Sequence, residues 1–281
     1  MTMALQHGRL HASSETRARL RVAPVGGGMG PRVLANEVAV ALSYNGTTQA
    51  VMMATPADLT DFAYGFTLTE GLADRSEVES VTTVETPLGL DVQIWLTPGA
   101  GDRLAARRRT MAGPVGCGLC GIDSLEQVVS PPPVVPASDL RLDPAVIGRA
   151  MAALVGQQPL HDLTRATHAA GFYRPETDEI VVREDVGRHN ALDKLAGALR
   201  GNDACALGGV IVMTSRVSID LVQKCARLGA PVLIAASAPT AAAVSMAEAA
   251  GITLVALVRG DQFEVFTHSF RIRTEGVQNV T

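Results

Sequence analysis

Two cysteines stand two residues apart in the segment GCGLCG, at Cys117 and Cys120. In this spacing one thiol influences the other and can lower its pKa, and the resulting thiolate is a nucleophile. The flanking glycines leave the backbone free to present sulfur to another molecule. The pair is therefore the first candidate for chemistry in this chain.

Three interpretations of the pair are open. A structural zinc site needs two further ligands at comparable spacing, whereas Cys205 and Cys225 are isolated in apolar segments and are expected to be packing thiols. A thioredoxin-like disulfide site expects the pair at a helix start after a strand, but here it follows an arginine cluster at 107–109. A persulfide carrier, whose thiolate accepts a sulfane sulfur and passes it on, suits a glycine-flanked, electropositive segment. Chemistry alone does not choose among them.

Polar residues also follow three predicted strands, where each strand gives way to a helix. The three junctions contain His189 in EDVGRHN, Arg216 in TSR, and Thr240 in SAPT. Open α/β sheets hold ligands at the carboxyl ends of strands, and helix N-termini with an arginine favour anions. Junctions on one edge would form a pocket for a phosphate-bearing ligand, with capped helices and surface ion pairs as the competing interpretation. Asp261, after a later strand, could pair with a purine base or simply end a turn.

The elements that position these residues change along the chain. Residues 1–30, rich in arginine and glycine, predict a flexible tail. Residues 31–98 predict a small α+β domain with a hairpin at Asn45-Gly46 and a helix capped by Thr55. Residues 99–136 predict a mobile loop and linker that carries the cysteine pair. Residues 137–281 alternate apolar strands with helices, which predicts an α/β domain with a sheet covered on both faces.

Composition excludes several classes of protein. The chain has 281 residues, of which 47% are hydrophobic and 19% charged, so it is not mainly disordered. Its net charge of −4 argues against nucleic-acid binding through bulk basicity. No apolar run is long enough to span a membrane, and the N-terminus lacks the apolar core of a secretory signal. We expect a soluble, cytoplasmic protein.

Several long motifs occur in one order along the chain. They are NEVAVALSYNG, TPADLTDFAYGFTLTEG, GCGLCG, EDVGRHNALDK, TSRVSIDLVQK and the stretch SAPTAAAVSMAEAAGITLVALVRGDQFEVFTH. Together they cover nearly the whole chain beyond its first thirty residues. In these motifs the sequence resembles the formate dehydrogenase accessory sulfurtransferase family, FdhD.

The resemblance implies a sulfurtransferase. Its members take sulfur as a persulfide from a cysteine desulfurase and deliver it to the bis-molybdopterin guanine dinucleotide cofactor of formate dehydrogenase. Cys117 corresponds to the persulfide carrier, and Cys120 occupies the assisting position. The family's cofactor-binding segment corresponds to Phe263, Glu264, Val265, Phe266, Thr267 and His268. The molybdenum cofactor would thus be bound as substrate, with no permanently bound metal.

The resemblance also implies a fold and an assembly. The α/β domain would resemble cytidine deaminase, and the protein would be a homodimer. Deamination itself is not expected, because the chain has no H-x-E segment and Gly116 rather than proline precedes Cys117. A non-catalytic chaperone that holds the molybdenum cofactor for formate dehydrogenase is the alternative function, with the cysteines only gripping the metal or the partner.

Overall fold

The computed structural model describes residues 12–110, 133–199 and 208–273. Its strands are β1 (Ser14–Arg21), β2 (Gly28–Ala35), β3 (Val38–Tyr44), β4 (Thr47–Ala54), β5 (Val78–Thr86), β6 (Gly89–Leu96), β7 (His168–Arg174), β8 (Glu179–Asp185), β9 (Val210–Met213), β10 (Val232–Ala235), β11 (Thr253–Arg259) and β12 (Gln262–Val265). Its helices are α1 (Leu59–Thr69), α2 (Pro98–Thr110), α3 (Pro144–Val155), α4 (Pro159–Thr164), α5 (Arg188–Ala198), α6 (Ile219–Arg227) and α7 (Ala241–Ala250). The strands form a ribbon, a four-stranded sheet and a six-stranded sheet.

The four-stranded sheet has the order β4-β3-β6-β5 and confirms the small α+β unit. The predicted hairpin turns at Asn45 and Gly46, whose φ values of 48° and 79° suit a tight turn between antiparallel strands. One face of the sheet packs against α1 and α2, with Val40 and Phe62 fully buried in the shared core. The helix does not begin at Thr55 as predicted, because Thr55 turns away to contact the larger sheet.

The six-stranded sheet has the order β12-β11-β10-β9-β7-β8. Strands β9, β10 and β11 are parallel, while β7 and β12 are antiparallel to their neighbours. Helix α3 packs on one face, and α5, α6 and α7 pack on the other. This three-layer arrangement confirms the mixed α/β fold class.

A two-stranded ribbon occupies part of the predicted tail. That prediction is wrong for residues 14–30, since β1 and β2 pair antiparallel from Ser14↔Ala35 to Arg21↔Gly28. The glycine run forms the turn between them, with φ of 74° at Gly26 and 154° at Gly28. The glycine run that predicts a flexible tail is therefore a turn that needs glycine conformations.

Helix α2 occupies the start of the predicted loop. The prediction is wrong for residues 99–110, which lie in the helix Pro98–Thr110. Ala100 and Leu104, four residues apart, are buried in the core of the four-stranded sheet and anchor this helix despite its glycines. The cysteine pair Cys117 and Cys120 lies outside the described residues, as does Cys205.

Two glycines bring the smaller sheet's helix against the larger sheet's helix. A Cβ atom at Gly65 of α1 would lie 1.6 Å from the carbonyl oxygen of Asp193, and one at Gly197 of α5 would lie 1.8 Å from that of Asp61. Only glycine allows the two backbones to approach this closely. The crossing of α1 and α5 therefore fixes the smaller unit on the face of the larger one.

Candidate functional site

The three predicted junctions lie at one edge of the six-stranded sheet. Strand β8 is antiparallel to β7, and β7 is antiparallel to β9, so β8, β9 and β10 all end at the same edge. Helices α5, α6 and α7 begin there. The loops after β9 and β10 are joined by the Val217 N–H, which donates to the Ala238 carbonyl at 3.2 Å. The structure thus confirms that His189, Arg216 and Thr240 follow strand ends that share an edge.

Most of the polar residues after β8 support the fold. Asp185 and Lys194 are completely buried, and the lysine Nζ donates to the aspartate Oδ2 at 2.6 Å. Lys194 also donates to the Thr55 carbonyl at 2.8 Å, and the Thr55 N–H donates to the same Asp185 oxygen at 3.0 Å. Asn190 adds a bond from Nδ2 to the Met53 carbonyl at 2.9 Å. These contacts tie the strand end to the smaller unit, as a structural network requires.

A second buried network holds helix α6 in place. Lys224 Nζ donates to Asp193 Oδ1 at 2.8 Å, to Glu70 Oε1 at 2.6 Å and to Thr69 Oγ1 at 3.0 Å. Burial disfavours the charged ammonium, but the Asp193 and Glu70 carboxylates outweigh this effect and raise the pKa of Lys224. The three helices α1, α5 and α6 are therefore joined through one ammonium group.

Five side chains around the start of α6 are left facing this edge, and we call them the strand-end cluster. They are Arg188, His189, Arg216, Ser218 and Asp220. His189 Nε2 lies 3.5 Å from Ser218 Oγ and 3.8 Å from Asp220 Oδ2. Within the described part of the chain, the buried atoms Arg188 Nε and Asp220 Oδ1 have no hydrogen-bond partner. The cluster thus offers a buried donor and a buried acceptor that the fold does not use.

The electrostatics of the strand-end cluster favour an anion. Burial, together with the nearby charge of Arg216, lowers the pKa of Arg188. Burial and then the Arg188, Lys224 and Arg216 charges lower the pKa of His189 to about 4, so its imidazole is neutral at pH 7. Two arginines that repel each other beside a helix N-terminus are relieved by a bound anion, and phosphate matches their donors.

Thr240 is placed as a helix cap. Its hydroxyl accepts the Ala243 N–H at 3.2 Å, at the first turn of α7. Its backbone N–H donates to the Val217 carbonyl at 3.0 Å. The Thr240 hydroxyl therefore caps α7, and the residue is still exposed to solvent.

The segment from Phe263 to His268 takes a different place. It runs down the outer strand β12 and beyond it, so that its end lies at the opposite edge from Arg216. Thr267 is buried, and its hydroxyl donates to the Ile252 carbonyl at 2.6 Å and accepts the Leu254 N–H at 2.9 Å. His268 Nε2 lies 3.0 Å from the Glu248 carbonyl at the end of α7. The remaining four are partly or fully exposed: Phe263, Glu264 and Val265 in β12, and Phe266 directly after it.

Asp261 lies in the exposed turn between β11 and β12. Its neighbour Gly260 has a φ of 57°, as a tight turn requires. A Cβ atom at Gly148 of α3 would lie 3.2 Å from Asp261 Oδ1. Asp261 therefore lies by α3, whereas α6 and its strand-end cluster pack on the other face of the sheet.

The described thiol, Cys225, is not suited to nucleophilic chemistry. It lies in α6 and is fully buried in the core, and burial raises the pKa of its thiol to about 12. This confirms the prediction of a packing thiol. Among residues 12–110, 133–199 and 208–273, no group of three or more His, Cys, Asp or Glu side chains is arranged to hold a metal ion.

The first described residues after the cysteine pair lie beside the end of α7 that contacts His268. The Val135 N–H donates to the Ala250 carbonyl at 2.9 Å, at the C-terminal end of α7. Glu248, whose carbonyl lies 3.0 Å from His268 Nε2, is in the same helical turn. The described flank of the cysteine segment and the end of the Phe263–His268 segment thus meet at one place.

Sequence reasoning missed Asp220 as a member of the strand-end cluster. An acidic residue in the first turn of a helix is ordinarily explained by the helix dipole, so its type and position gave no distinct signal. The buried network around Lys224 could have been found from the residue types. Lys194 and Lys224 are the two lysines of a chain that otherwise uses arginine, and both are buried in ion pairs.

In the described part of the chain, no helix is both long enough and apolar enough to cross a membrane.

Comparison with known proteins then gives a consistent result. A relative from Agrobacterium fabrum, named sulfur carrier protein FdhD, is 55% identical over 86% of this chain and 90% of its own length. A relative of the same name from Cupriavidus necator is 48% identical over 88% of this chain and 86% of its own. The crystal structure of a protein from Desulfotalea psychrophila, described as a formate dehydrogenase accessory protein, is similar with a TM-score of 0.73 and 25% identity. That similarity covers 93% of this chain and all of the other. Because the FdhD/NarQ family model also matches residues 35–273, the chain belongs to the FdhD/NarQ family.

Proposed function

We propose that this protein is a sulfur carrier that serves formate dehydrogenase. Cys117 accepts a sulfane sulfur from a cysteine desulfurase and passes it to the bis-molybdopterin guanine dinucleotide cofactor, which is the substrate of the transfer. The observation that carries the proposal is a cysteine pair, Cys117 and Cys120, in a chain whose relatives are named sulfur carrier proteins. Cys225 is buried with a raised pKa, which argues against that thiol as the carrier.

The loading step is a thiol–persulfide exchange. The Cys117 thiolate attacks the terminal sulfur of the donor's cysteine persulfide, a new S–S bond forms at Cys117, and the donor's cysteine leaves as a thiolate. No net oxidation or reduction occurs in this exchange. Cys117 then carries the persulfide.

The release step needs two electrons if the sulfur leaves as sulfide. Attack by the Cys120 thiolate on Sγ of Cys117 supplies them, because it forms a Cys117–Cys120 disulfide while hydrosulfide departs toward the substrate. A small or protein dithiol then reduces the disulfide for the next cycle. This gives Cys120 a defined task in the assisting position.

The strand-end cluster is the proposed site for the diphosphate of the cofactor's nucleotide. Arg216 and Arg188 supply the positive charge, His189 remains neutral, and the N-terminus of α6 supplies N–H groups. The Phe263–His268 segment is proposed as a further contact for the cofactor. The contact of Val135 with α7 supports this, since Val135 follows the cysteine pair in the sequence and lies at the end of α7 that contacts His268.

Calorimetry with GDP tests the diphosphate assignment. An arginine–phosphate interaction contributes about 1.5–3 kcal/mol, so Arg216→Ala should weaken GDP binding by about 10-fold to 150-fold. Arg227→Ala is the matched control, because Arg227 is exposed at the other end of the same helix. GDP affinity that stays within about twofold in Arg216→Ala would refute the assignment.

Maturation of formate dehydrogenase tests the carrier role. A sulfur carrier should lose the ability to activate the dehydrogenase in Cys117→Ala, whereas a chaperone that only holds the cofactor should retain much of it. Cys225→Ala, at the buried packing position, is the control for a cysteine removed elsewhere. A cytoplasmic location and a homodimer complete the proposal.

A further inference from the structure

The strand-end cluster contains a carboxylate that a site for phosphate alone would not need. Asp220 lies in the first turn of α6, and its side chain is 23% exposed. A phosphate anion bound by Arg188 and Arg216 would be repelled by this carboxylate, because like charges at short range raise the energy of the complex. Asp220 thus weakens the binding of a plain anion, and its presence in the cluster calls for another role.

Asp220 and Arg188 are neighbours that do not satisfy each other. Burial and the charge of Arg216 lower the pKa of Arg188, and the nearby charge of Asp220 partly offsets this. Among the residues that the structure describes, the buried Oδ1 of Asp220 nevertheless accepts no hydrogen bond and the buried Nε of Arg188 donates none. Each of these atoms loses the hydrogen bonds that water would give it. A ligand that satisfies both atoms must offer an acceptor and, close to it, a donor.

A diphosphate meets only half of this requirement. Its oxygens accept hydrogen bonds from Arg188 and from the N–H groups at the start of α6, but it is ionised at pH 7 and is a poor donor. The cluster is compact, since His189 Nε2 lies 3.5 Å from Ser218 Oγ and 3.8 Å from Asp220 Oδ2. The donor therefore belongs to the part of the ligand that is joined directly to the diphosphate. In a nucleotide that part is the ribose with its 2′- and 3′-hydroxyls, whereas the base lies beyond it.

We propose that the Asp220 carboxylate accepts hydrogen bonds from the ribose hydroxyls of the nucleotide whose diphosphate is bound by Arg188 and Arg216. The inference rests on the proposed diphosphate site and adds to it the residue that selects the sugar. Because the side chain is partly exposed, a rotation about its Cβ–Cγ bond is sufficient to turn Oδ1 toward a ligand. A pair of adjacent hydroxyls can donate to both oxygens of one carboxylate, and Oδ2, 3.8 Å from His189 Nε2, is beyond hydrogen-bond distance of the imidazole.

The carboxylate makes the site selective through two effects of opposite sign. A site that hydrogen-bonds a hydroxyl of its ligand rejects an analogue without that hydroxyl, because the buried acceptor is then left unpaired. The same negative charge repels an anion that brings no donor. Asp220 should therefore favour a ribonucleotide both over a nucleotide that lacks the ribose hydroxyls and over free inorganic diphosphate.

Isothermal titration calorimetry with GDP, 2′,3′-dideoxy-GDP and inorganic diphosphate tests the role of Asp220. The wild type should bind GDP at least about 10-fold more tightly than dideoxy-GDP, the loss expected for a charged acceptor left unpaired. Asp220→Asn should reduce this preference to about threefold or less, because an amide oxygen is a weaker acceptor than a carboxylate. The same substitution should leave the affinity for inorganic diphosphate unchanged or higher, since it removes a like charge. A purely structural role of Asp220 would instead weaken the binding of all three probes.

Asp102→Asn is the matched control for the loss of one negative charge. Asp102 is exposed on α2, which packs on the four-stranded sheet. This variant should keep the affinities for all three probes within about twofold of the wild type. Arg216→Ala, measured with the same probes, reports separately on the diphosphate site itself.

The outcomes separate the sugar assignment from the diphosphate site on which it rests. GDP and dideoxy-GDP that bind the wild type within about twofold of each other would overturn the inference. A preference for GDP that persists in Asp220→Asn would also overturn it, as would equal losses of affinity for GDP and inorganic diphosphate in that variant. If GDP affinity still depends on Arg216 in these cases, the diphosphate site stands and the role of Asp220 alone fails. GDP binding that is absent, or that does not depend on Arg216, would overturn both.

Discussion

The buried pair of Lys194 and Asp185 yields a quantitative prediction about stability. Both side chains are completely buried, and their charged atoms lie 2.6 Å apart. Lys194→Met keeps an unbranched chain of similar volume but removes the ammonium. It also removes the bond to the Thr55 carbonyl, through which the two units of the fold are joined.

The loss of stability in Lys194→Met can be estimated from the contacts that Asp185 keeps. In the variant, Asp185 still accepts N–H groups from Thr55 at 3.0 Å and from Gly187 at 2.7 Å, but it has lost the cation bound to it. Removing one partner of a buried ion pair costs about 3–5 kcal/mol. Because domains are stable by about 5–15 kcal/mol, Lys194→Met should lose a large part of the free energy of unfolding.

Urea unfolding followed by circular dichroism measures this loss. Arg103→Met is the control: the Arg103–Glu77 pair also has a 2.6 Å contact, but the arginine is 59% exposed. Its loss should be at most about 1 kcal/mol. Asp185→Asn combined with Lys194→Met should lose less stability than the sum of the two single losses, because each single variant already breaks the same ion pair. A single variant that loses less than about 1 kcal/mol, or a double variant with purely additive losses, would refute the reasoning.

Two further predictions concern His189 and the helix crossing. An NMR titration of His189 should give a pKa of about 4 rather than 6.5. Since the unfolded chain then binds a proton that the folded chain does not, stability should fall as the pH decreases from about 7 toward 4. His189→Gln should make that decline shallower, and an imidazole that titrates near its ordinary value would contradict the burial argument. Gly197→Ala should lower the free energy of unfolding by about 1–3 kcal/mol, because its Cβ would lie 1.8 Å from the Asp61 carbonyl oxygen. Gly99→Ala in α2, whose nearest atom would be at 3.9 Å, is the control, and equal stability of both variants would show that α1 and α5 do not cross so closely.

Local signals predicted the elements of the fold well where one physical rule dominated. The Asn45-Gly46 turn, the Asp143-Pro144 helix start and the apolar strands of the larger sheet all appear in the structure as expected. Asp143 caps α3 by accepting the Ala145 N–H at 2.9 Å, as its residue type suggested. In each case the residues of a short segment are sufficient to determine its local structure.

The sequence-based predictions were wrong where contacts between residues far apart in the sequence determine the local structure. The composition around Gly26 and Gly28 predicts a flexible tail, but pairing between residues 14–21 and 28–35 makes the same glycines a turn. Ala100 and Leu104 fix α2 by burial in the core of the four-stranded sheet, which local composition does not record. Composition around a glycine therefore does not distinguish a turn or a packed helix from a disordered segment.

In the candidate site, the positions of the residues could be predicted from the sequence, but the roles of some of them could not. Strand-end geometry correctly placed His189, Arg216 and Thr240 at one edge, because strand direction in an α/β sheet follows from strand–helix alternation. Whether the polar residues after β8 bind a ligand or support the fold could not be predicted. Asp185 and Lys194 pair with each other and with Thr55, a residue from the other unit of the chain.

The central claim is that Cys117 carries a persulfide, and intact mass spectrometry tests it most directly. The protein is incubated with an active cysteine desulfurase and cysteine, beside Cys117→Ala and the buried-thiol control Cys225→Ala. We expect a gain of one sulfur atom in the wild type and in Cys225→Ala, reversed by reductant and absent in Cys117→Ala. No gain in any of the three proteins, or a gain that persists in Cys117→Ala, would contradict it.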